Sequence, residues 1–554
     1  MPETRSFDYI IVGGGTAACV LAARLTEDSS IRVLVIEAGS EPTSPWIKMP
    51  LAMGKLFTHP TLNWGLYTEP EAKLNNRTIF WPRGKVLGGC SSINGSAYVR
   101  GQAEDYDGWR ALGNVGWGWS DVLPYFQKLE RREDLHGASA NGKGKLTVSY
   151  PVFVSPIARA FIEAGLRAGL PKATDLNGAS PEGIGLMPYS IRHGERNSAY
   201  EAYLRPVRSR ANLAVETSGF ALRLSMAGRR ATGVEYERGG TIHNAQATRE
   251  VILCAGAIGS PQILMLSGIG PAGHLRQLGI SIVADVPGIG ENLHDHVSAQ
   301  LTFRTEPKNS LNRELSGLSV LGHAITYYVA KRGPLTNGAS QATALARSSA
   351  DTPCPDLQLV FRAMSHVYDK SGRLSPDPIP RVTGGVAFTR PKSRGRLLLK
   401  STDPKQTPEM HANYLSVPSD EESLLSGVKL VRRIFATEPL RSMVLGEDLP
   451  GEACRTDDDV RQFLYRAAST FCHPSGTCKM GQDATSVVDE RLRVRGVESL
   501  RVIDASVMPA LPSAGPAPAV FMIAEKGADF IKEDQRSGVA SGGVRAASAV
   551  SVSL

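Results

Sequence analysis

The sequence predicts an α/β protein, α+β overall, in which a Rossmann-like βαβ domain is joined to a second domain. Its length of 554 residues exceeds what one small core can organise, which favours two closely packed domains. Residues 7–13 form an apolar run that ends in glycine, residues 17–27 place small and apolar side chains at helical spacing, and residues 32–37 form a second apolar run. This succession of strand, turn, helix and strand is typical of a nucleotide-binding domain.

The turn between the first strand and the helix, residues 13–18, has the GxGxxA spacing of the dinucleotide fingerprint. Gly13 permits a tight turn, Gly15 lets the backbone approach a pyrophosphate, and the helix N-terminus offers free N–H groups to the phosphates. Glu37 ends the second strand, where its carboxylate can accept hydrogen bonds from a ribose diol and would repel the extra phosphate of NADP. A glycine turn that only packs leaves Glu37 unexplained. We therefore predict dinucleotide binding, with FAD and NAD both open.

The charge pattern argues against nucleic-acid binding. The formal net charge is +8, from 62 basic and 54 acidic residues, but the basic residues are scattered and form no long run. We interpret the excess as a mildly basic surface that suits an anionic cofactor or substrate. The seven cysteines lack metal-binding spacing, so no metal site is expected, and their odd number favours a reducing compartment.

The N-terminus does not have the pattern of a targeting segment. Residues 1–8 are polar and lead directly into the first strand, without the apolar core of a signal peptide. No stretch approaches the length of a transmembrane span. We therefore expect a cytoplasmic protein with no transmembrane segment.

The rest of the chain alternates between irregular and regular segments. Residues 40–125 are rich in Gly, Pro, Trp and Asn, and an irregular stretch of this length predicts a lid or a cofactor-wrapping segment. Residues 213–254 and parts of 300–400 predict strands, and a helix is expected over 419–437 with Ser419 at its start. The last residues are small and polar and predict a disordered tail.

Four further segments carry a family resemblance. They are residues 82–95 (PRGKVLGGCSSING), residues 256–270 with two glycine-rich stretches, residues 290–296 (GENLHDH), and the region from 472–477 (CHPSGT) to 501–526. In these segments and in their order, the chain resembles the glucose–methanol–choline oxidoreductase family over residues 7–531. The resemblance implies that the cofactor is FAD.

The resemblance also implies how two domains divide the chain. A discontinuous FAD-binding domain is expected from residues 1–155, 214–300 and 468–534. A substrate-binding domain built on an antiparallel sheet is expected from residues 156–213 and 301–467, and a disordered tail from residues 535–554. The substrate pocket would then be lined largely by residues outside the family motifs.

By the same resemblance, the residues expected to contact FAD are glycines and other residues of these motifs. They are Gly13, Gly15, Thr16, Ala17, Glu37, Ala38, Arg83, Gly88, Gly89, Ser91, Asn94, Gly95, Ala255, Asp504, Ala505 and Pro518. Some family members attach FAD through a histidine that follows the paired serines, and here that position is Ile93. The FAD is therefore expected to be non-covalent.

The resemblance assigns the role of catalytic base to His473, in the family's His-Pro motif. Oxidation of an alcohol requires the hydroxyl proton to leave while a hydride reaches flavin N5, and an imidazole suits the proton transfer. Its protonated form would help to stabilise reduced flavin. A purely structural histidine is the alternative interpretation. Among the other histidines, His294 and His296 lie in a family segment, where a structural or FAD-contacting role is expected.

The usual partner of this base is missing. Family members place Asn or His at the start of the last helix, but this position is Ala517, between Pro516 and Pro518. Alanine offers no hydrogen bond through its side chain. Three explanations stay open: His473 acts alone, the substrate supplies a polar atom, or a nearby loop residue replaces the partner. The chain resembles pyridoxine 4-oxidase-like members in this respect, which favours a hydroxymethyl group on an aromatic ring as the substrate.

The two prolines also indicate where the last helix begins. Proline is tolerated at the first helical turn, so the helix is expected to begin near Ala519. Its positive end would then point at the pyrimidine edge of the flavin. For this reason Ala517 and Pro518 are counted with His473 as candidate catalytic positions.

The predicted function is FAD-dependent oxidation of a primary alcohol to an aldehyde, with hydride transfer to flavin N5 and His473 as general base. The alternative is a non-redox or light-driven enzyme on the same scaffold, of the hydroxynitrile lyase or fatty-acid photodecarboxylase type. The expected partners are a small alcohol and either oxygen or a quinone-like electron acceptor. The sequence leaves open which alcohol, which acceptor and which oligomeric state the protein has.

Overall fold

The computed structural model of the chain describes residues 5–133, 139–368 and 374–537. The predicted βαβ unit is present: strand Arg5–Val12 runs parallel to strand Val33–Ile36, and helix Thr16–Leu25 connects them. Val33–Ile36 is buried along its whole length, because a parallel strand at the centre of a sheet is covered on both faces. The α/β class is confirmed.

This unit belongs to a seven-stranded sheet, here called the first sheet. In spatial order its strands are Leu213–Glu216, Val33–Ile36, Arg5–Val12, Thr241–Leu253, Arg230–Arg238 and Gly219–Ala227, and Leu500–Val502 pairs with the end of Thr241–Leu253. The strands on either side of Arg5–Val12 are parallel to it, whereas Arg230–Arg238 and Gly219–Ala227 extend the sheet by antiparallel hairpins. The strands predicted over 213–254 are confirmed, and three distant parts of the sequence meet in one sheet.

The other large sheet is antiparallel throughout and is here called the second sheet. In spatial order its strands are Val444–Leu449, Val297–Thr305, Arg381–Phe388, Leu357–Arg362, Ala342–Ala346 and Gly183–Leu186, with Ser469–Thr470 paired to the start of Val297–Thr305. One face packs against helix Pro418–Phe435, where Phe435 stacks on Phe303. The other face is more polar and points into a cavity. The expected second domain on an antiparallel sheet is therefore present.

Of the nine longer helices in the described residues, three were predicted and six were not. The longer helices of the described residues are Thr16–Leu25, Ala103–Ala111, Trp119–Leu129, Pro156–Arg167, Gly256–Leu266, Ser319–Ala330, Pro418–Phe435, Asp457–Ala467 and Ala517–Ser537. Ala103–Ala111 begins within the stretch 40–125 that was expected to be irregular, and so does Trp119–Leu129. Gly108 and Pro124 interrupt the helical patterns of these two segments, so the sequence did not indicate them.

Two predicted helix starts need correction. The helix expected over 419–437 runs from Pro418 to Phe435, and proline at its first position, rather than Ser419, begins it. The last helix begins at Ala517 rather than near Ala519, which places Pro518 within its first turn. Because this helix continues to Ser537, residues 535–537 of the predicted tail are helical. The remainder of that tail lies outside the described residues.

Some classes of site are not represented in this part of the chain. No helix within the described ranges is both long and apolar enough to cross a membrane. Across the same ranges, no cluster of His, Cys, Asp and Glu is arranged to hold a metal ion. The seven cysteines are free thiols.

Candidate active site

A cavity of about 800 Å³ lies where the two sheets meet. Gly13 and Glu37, which follow strands of the first sheet, form part of its lining, and so do Gln300 and Arg362 on the second sheet. His473 also lines it, shortly after strand Ser469–Thr470 of the second sheet. A cavity of this size accommodates a ligand larger than a simple alcohol.

Most of the residues expected to contact FAD line this cavity. They are Gly13, Gly15, Thr16, Ala17, Glu37, Ala38, Arg83, Gly89, Asn94, Gly95, Ala255, Asp504 and Ala505. We call this set the nucleotide wall. The fold thus brings motif residues from both ends of the chain to one surface.

Gly88, Ser91 and Pro518 were expected to contact FAD but do not line the cavity. The Gly88 N–H donates to the carbonyl of Gly14 at 2.8 Å, and the Ser91 hydroxyl donates to the carbonyl of Gly88 at 2.6 Å. The Ser91 oxygen also accepts from the N–H of Ala199 at 3.0 Å. Pro518 is buried in the first turn of the last helix. Gly88 is thus bonded to Gly14, which lies between Gly13 and Gly15 of the nucleotide wall.

The fingerprint turn requires glycine for steric reasons. Gly13 has a φ of 94°, and a Cβ at this residue would lie 2.6 Å from the carbonyl oxygen of Cys254. A Cβ on Gly89 would lie 2.8 Å from the Cα of Gly15, so these two backbones also approach closely. Helix Thr16–Leu25 begins at this surface and presents its first N–H groups there. The turn therefore offers a close-fitting backbone surface of the kind that binds a pyrophosphate.

Glu37 lies directly after strand Val33–Ile36 and lines the cavity. Its carboxylate accepts the N–H of Gly14 at 2.6 Å through one oxygen and the N–H of Gly39 at 2.7 Å through the other. Burial raises the pKa of Glu37 to about 7, and these two backbone bonds oppose the rise. Each oxygen retains a second lone pair, so the side chain can still accept a hydrogen bond from a ligand in the cavity.

Asp504 connects two segments beside the nucleotide wall through hydrogen bonds. One of its carboxylate oxygens accepts the Gly256 N–H at 2.8 Å and the Ser260 hydroxyl at 2.6 Å. The other accepts the N–H and the hydroxyl of Ser506, at 2.8 and 2.6 Å. Burial raises the pKa of Asp504, and these donors oppose the rise. Asp504 thereby fixes the start of helix Gly256–Leu266 against the cavity.

His473 is held on several sides. Its backbone N–H donates to the Asp295 carboxylate at 2.7 Å, its Nδ1 lies 2.9 Å from Nδ1 of His296, and the ring of Phe471 packs edge-on against its imidazole. Its Nε2 lies beside Gly515, where a Cβ would be only 3.2 Å away. Because Nδ1 is turned to His296, which does not line the cavity, Nε2 is the ring nitrogen on the cavity side.

His296 is a neighbour of His473 that the sequence analysis missed. Its position immediately before strand Val297–Thr305 places its ring behind that of His473. His294, from the same segment, instead has its Nδ1 2.5 Å from the carbonyl oxygen of Asn292 in its own loop. No sequence spacing links positions 296 and 473, so only the fold reveals this pair.

Both imidazoles of the pair are neutral near neutral pH. Burial lowers the pKa of His296 to about 3, although the backbone carbonyls of Thr389 and Pro512 beside its ring oppose this. Burial also lowers the pKa of His473 well below its usual value, and His296 and Arg83 lower it further. A neutral imidazole keeps a lone pair on one nitrogen and can accept a proton.

The wall formed by the second sheet consists of side chains at alternating strand positions. These residues are Ser298, Gln300, Thr302, Gln358, Val360, Arg362 and Thr383, and we call them the sheet wall. Gly385 pairs with both Gln300 and Val360, and because it has no side chain, the ends of those two side chains lie over it. None of these residues belongs to a family motif, which is why the sequence analysis did not identify them.

Ala517 and Ile93 both line the cavity. Ala517 is the first residue of the last helix, and its methyl group offers no hydrogen bond to a ligand or to His473. Ile93 has an apolar side chain at the position where some relatives carry a flavin-linking histidine. It provides no atom through which a covalent link to a flavin could form.

Comparison with known proteins gives consistent matches along the chain. Family models described as GMC oxidoreductase match residues 7–298 and 391–524. An alcohol dehydrogenase (acceptor) of Pseudomonas putida is 38% identical over 536 residues, and an oxygen-dependent choline dehydrogenase of Rhizobium etli is 40% identical over 526 residues. Each alignment covers 95% of this chain and 95% of the relative. The crystal structure of pyridoxine 4-oxidase from Mesorbium loti superposes with a TM-score of 0.85 at 32% identity, covering 95% of this chain and 99% of that one.

Proposed function

The chain belongs to the GMC oxidoreductase family, and from this premise we propose that it is an FAD-dependent enzyme that oxidises a primary alcohol to an aldehyde. In this proposal His473 is the general base. The observation that carries it is the half-buried, neutral imidazole of His473, whose Nδ1 is turned to His296 and whose Nε2 faces the cavity bounded by the nucleotide wall.

The nucleotide wall suits FAD. Gly13 and Gly89 keep the surface free of side chains, the start of helix Thr16–Leu25 suits the pyrophosphate, and Glu37 suits a ribose hydroxyl. The apolar side chain of Ile93 supports non-covalent binding. When bound, FAD supplies the acceptor for the hydride that leaves the alcohol carbon.

The contact with His296 gives His473 the tautomer that a base needs. The 2.9 Å contact between the two Nδ1 atoms needs one of them to carry a proton, and in this proposal that proton is on His473 Nδ1. His296 Nδ1 is then an acceptor and receives the Nδ1–H of His473. Nε2 of His473 is left with its lone pair and accepts the hydroxyl proton of the alcohol. His296 thus positions the base from behind, in place of the partner that Ala517 cannot be.

We propose an aromatic hydroxymethyl compound as the alcohol. Phe471, which packs against His473, and Tyr189 both line the cavity, and aromatic side chains favour contact with a ring. The likeness to pyridoxine 4-oxidase, whose name states a ring-bearing substrate, supports the same class.

The test is anaerobic reduction of the purified yellow protein by an aromatic alcohol. The His473→Ala variant should retain FAD but bleach more slowly by about 10²–10⁴-fold, because a well-placed base is lost. The matched control is His243→Ala, which removes an imidazole that stacks on Tyr236 and does not line the cavity. A colourless protein that ignores added FAD, or a His473→Ala variant that bleaches at the wild-type rate, contradicts the proposal.

The same experiment addresses the electron acceptor and the alternative chemistry. Colour that returns on exposure to air identifies an oxidase, whereas colour that returns only after a quinone is added identifies a dehydrogenase. If no alcohol bleaches the flavin, and the protein instead cleaves a cyanohydrin or decarboxylates a fatty acid under blue light, the lyase or photodecarboxylase interpretation replaces the oxidation.

A further inference from the structure

Among the described residues, Arg362 is a cation of the sheet wall without an anionic partner. It is the last residue of strand Leu357–Arg362, and part of its guanidinium is accessible from the cavity. Its hydrogen bonds go to neutral groups: Nη1 donates to the side-chain carbonyl of Gln300 at 2.9 Å, and Nε donates to the hydroxyl of Ser340 at 3.3 Å. Burial lowers the pKa of Arg362, and among the described residues no carboxylate offsets this.

The other charges around the cavity do not neutralise Arg362. The carboxylates that line the cavity within the described residues are Glu37 and Asp504, and both belong to the nucleotide wall, where backbone N–H groups bind them. His366 also lines the cavity, but burial and the nearby Arg362 lower its pKa to about 4, so it is neutral. The lining holds two further cations: Lys405 pairs with Glu237, and Arg83 in the nucleotide wall donates to the backbone carbonyls of Pro82 and Cys472.

A buried and unpaired guanidinium is costly unless a ligand supplies the missing anion. Its planar fork of N–H donors matches a carboxylate, and hydrogen bonds between charged groups are stronger than those between neutral ones. Gln300 and Ser340 fix the orientation of the fork. The sheet wall therefore has the chemistry of a site for an anionic group.

We propose that Arg362 binds a carboxylate of the substrate, so that the alcohol oxidised is a hydroxymethyl compound that carries an anionic group. This inference rests on the proposed alcohol oxidation and names its substrate class. It separates the chain from an enzyme for a quaternary ammonium alcohol, because a positive substrate would be repelled by Arg362 and would find no carboxylate on the sheet wall.

The first test compares ring alcohols that carry an anionic, a neutral or a cationic substituent, of which the carboxylate and the amide have nearly the same shape. These are the meta and para isomers of hydroxymethyl benzoate, hydroxymethyl benzamide and hydroxymethyl phenyltrimethylammonium. We expect kcat/KM for the better benzoate isomer to exceed that for its amide by roughly 10- to 100-fold, with the ammonium compound poorest. Equal values for the three, or a preference for the ammonium compound, overturn the inference.

The second test removes the cation. Arg362→Met should abolish the preference for the benzoate over the amide, and Arg362→Lys should keep part of that preference. The matched control is Arg304→Met on strand Val297–Thr305, which removes an exposed guanidinium that pairs with Asp448. The preference should be unchanged in the control. If Arg362→Met does not retain FAD, the inference is tested by the preference that Arg362→Lys keeps and by the comparison of substrates with the wild-type protein.

The third test separates binding from turnover. Toluate and toluamide lack the oxidisable hydroxyl, and their affinities for the oxidised holoenzyme are measured by calorimetry. We expect toluate to bind roughly 10-fold or more tightly and this advantage to disappear in Arg362→Met. Equal affinities overturn the anion site even if alcohols reduce the flavin. Tight, Arg362-dependent binding of toluate without reduction by any alcohol supports the anion site and overturns the proposed oxidation instead.

Discussion

The two walls of the cavity differ in what faces the ligand. On the nucleotide wall the approach is made by backbone, as at Gly13 and Gly89, and the side chains that take part are held by backbone N–H groups. On the sheet wall the approach is made by side chains such as Gln300 and Arg362, which extend from strands at alternating positions. A surface formed by backbone requires glycine at particular positions of the sequence. A surface formed by strand side chains requires only that the segment forms a strand, and the residue type at each position can vary.

The largest effect is expected from placing a methyl group in the nucleotide wall. In Gly13→Ala the new Cβ would meet the carbonyl oxygen of Cys254 at 2.6 Å, in a backbone conformation that alanine rarely adopts. The turn must shift, so we expect FAD affinity to fall by about 100-fold or more and activity to fall with it. FAD retained after gel filtration gives the measurement.

The control for this substitution is Gly273→Ala, in helix Ala272–Gln277, where a Cβ would meet no atom within 4 Å. This variant should retain FAD and full activity, because alanine is favoured over glycine in a helix. A Gly13→Ala protein that keeps its flavin as well as the control does would show that the backbone surface is not what holds the cofactor.

The next effect concerns His296, which lies behind the base. Removing its acceptor in His296→Ala costs a hydrogen bond between neutral groups, so flavin reduction should slow by roughly 3- to 10-fold. Burial and, after it, His296 lower the pKa of His473. Removing His296 should therefore raise that pKa, and the acidic limb of the kcat/KM profile of His296→Ala should move to higher pH. His296→Asn, which keeps an acceptor near the Nδ1 position, should recover part of the rate.

A merely structural role for His296 would leave that pH profile in place. His294→Ala provides the comparison, since it removes a buried imidazole that bonds to its own loop. This variant should lose stability without a shift of the acidic limb. An unchanged profile in His296→Ala would contradict the positioning role.

The buried imidazoles also make stability depend on pH. Burial lowers the pKa of His294 and of His296 to about 3, so the native state binds fewer protons than the unfolded chain below the usual value of 6.5. Their contribution to the free energy of unfolding is therefore present above that value and falls as pH decreases, by about 1 kcal/mol per imidazole between pH 6.5 and 5.5. Glu37, with its pKa raised by burial, changes stability in the opposite direction.

A variant isolates the imidazole contribution from that of Glu37. Between pH 6.5 and 5.5, the thermal midpoint of His294→Ala should fall less than that of the wild type, because one proton-binding difference has been removed. Parallel pH dependences of the two midpoints would show that His294 is not the source of the acid sensitivity.

The smallest effect is expected from a methyl group in the sheet wall. In Gly385→Ala the Cβ would approach the Gln300 amide oxygen and a Val360 methyl, each at 2.9 Å. Both are ends of side chains that can move, unlike the carbonyl of Cys254. FAD retention should be unchanged, and KM for a ring alcohol should rise by less than about 10-fold relative to that for a small aliphatic alcohol. Loss of flavin in this variant would contradict the view that the nucleotide wall holds the cofactor and the sheet wall contacts the substrate.

The two walls also explain what the sequence could predict. Gly13, Gly15 and Glu37 were identified because the turn chemistry leaves few other choices, and the strands of the first sheet followed from their apolar runs. Arg362 and Gln300 were not, because a polar residue on an alternating strand is equally compatible with an exposed face. His296 was assigned to the correct segment, but its contact with His473 depends on how Ser469–Thr470 pairs with Val297–Thr305.

The regular elements show the same limit. Helices Ala103–Ala111 and Trp119–Leu129 escaped prediction because Gly108 and Pro124 interrupt them, although tertiary packing buries Trp109 and Phe126 in the core. Local pattern indicated the wrong state where long-range contacts decide it.

The hydrogen-bond ladder that pairs Val297–Thr305, Arg381–Phe388 and Leu357–Arg362 runs through main-chain atoms alone. The side chains that face the cavity lie at every second position of each strand. They can therefore be substituted without changing the strand pairing or the face that packs on helix Pro418–Phe435. On such a scaffold a few substitutions can change the substrate specificity, while the residues that line the nucleotide wall stay the same.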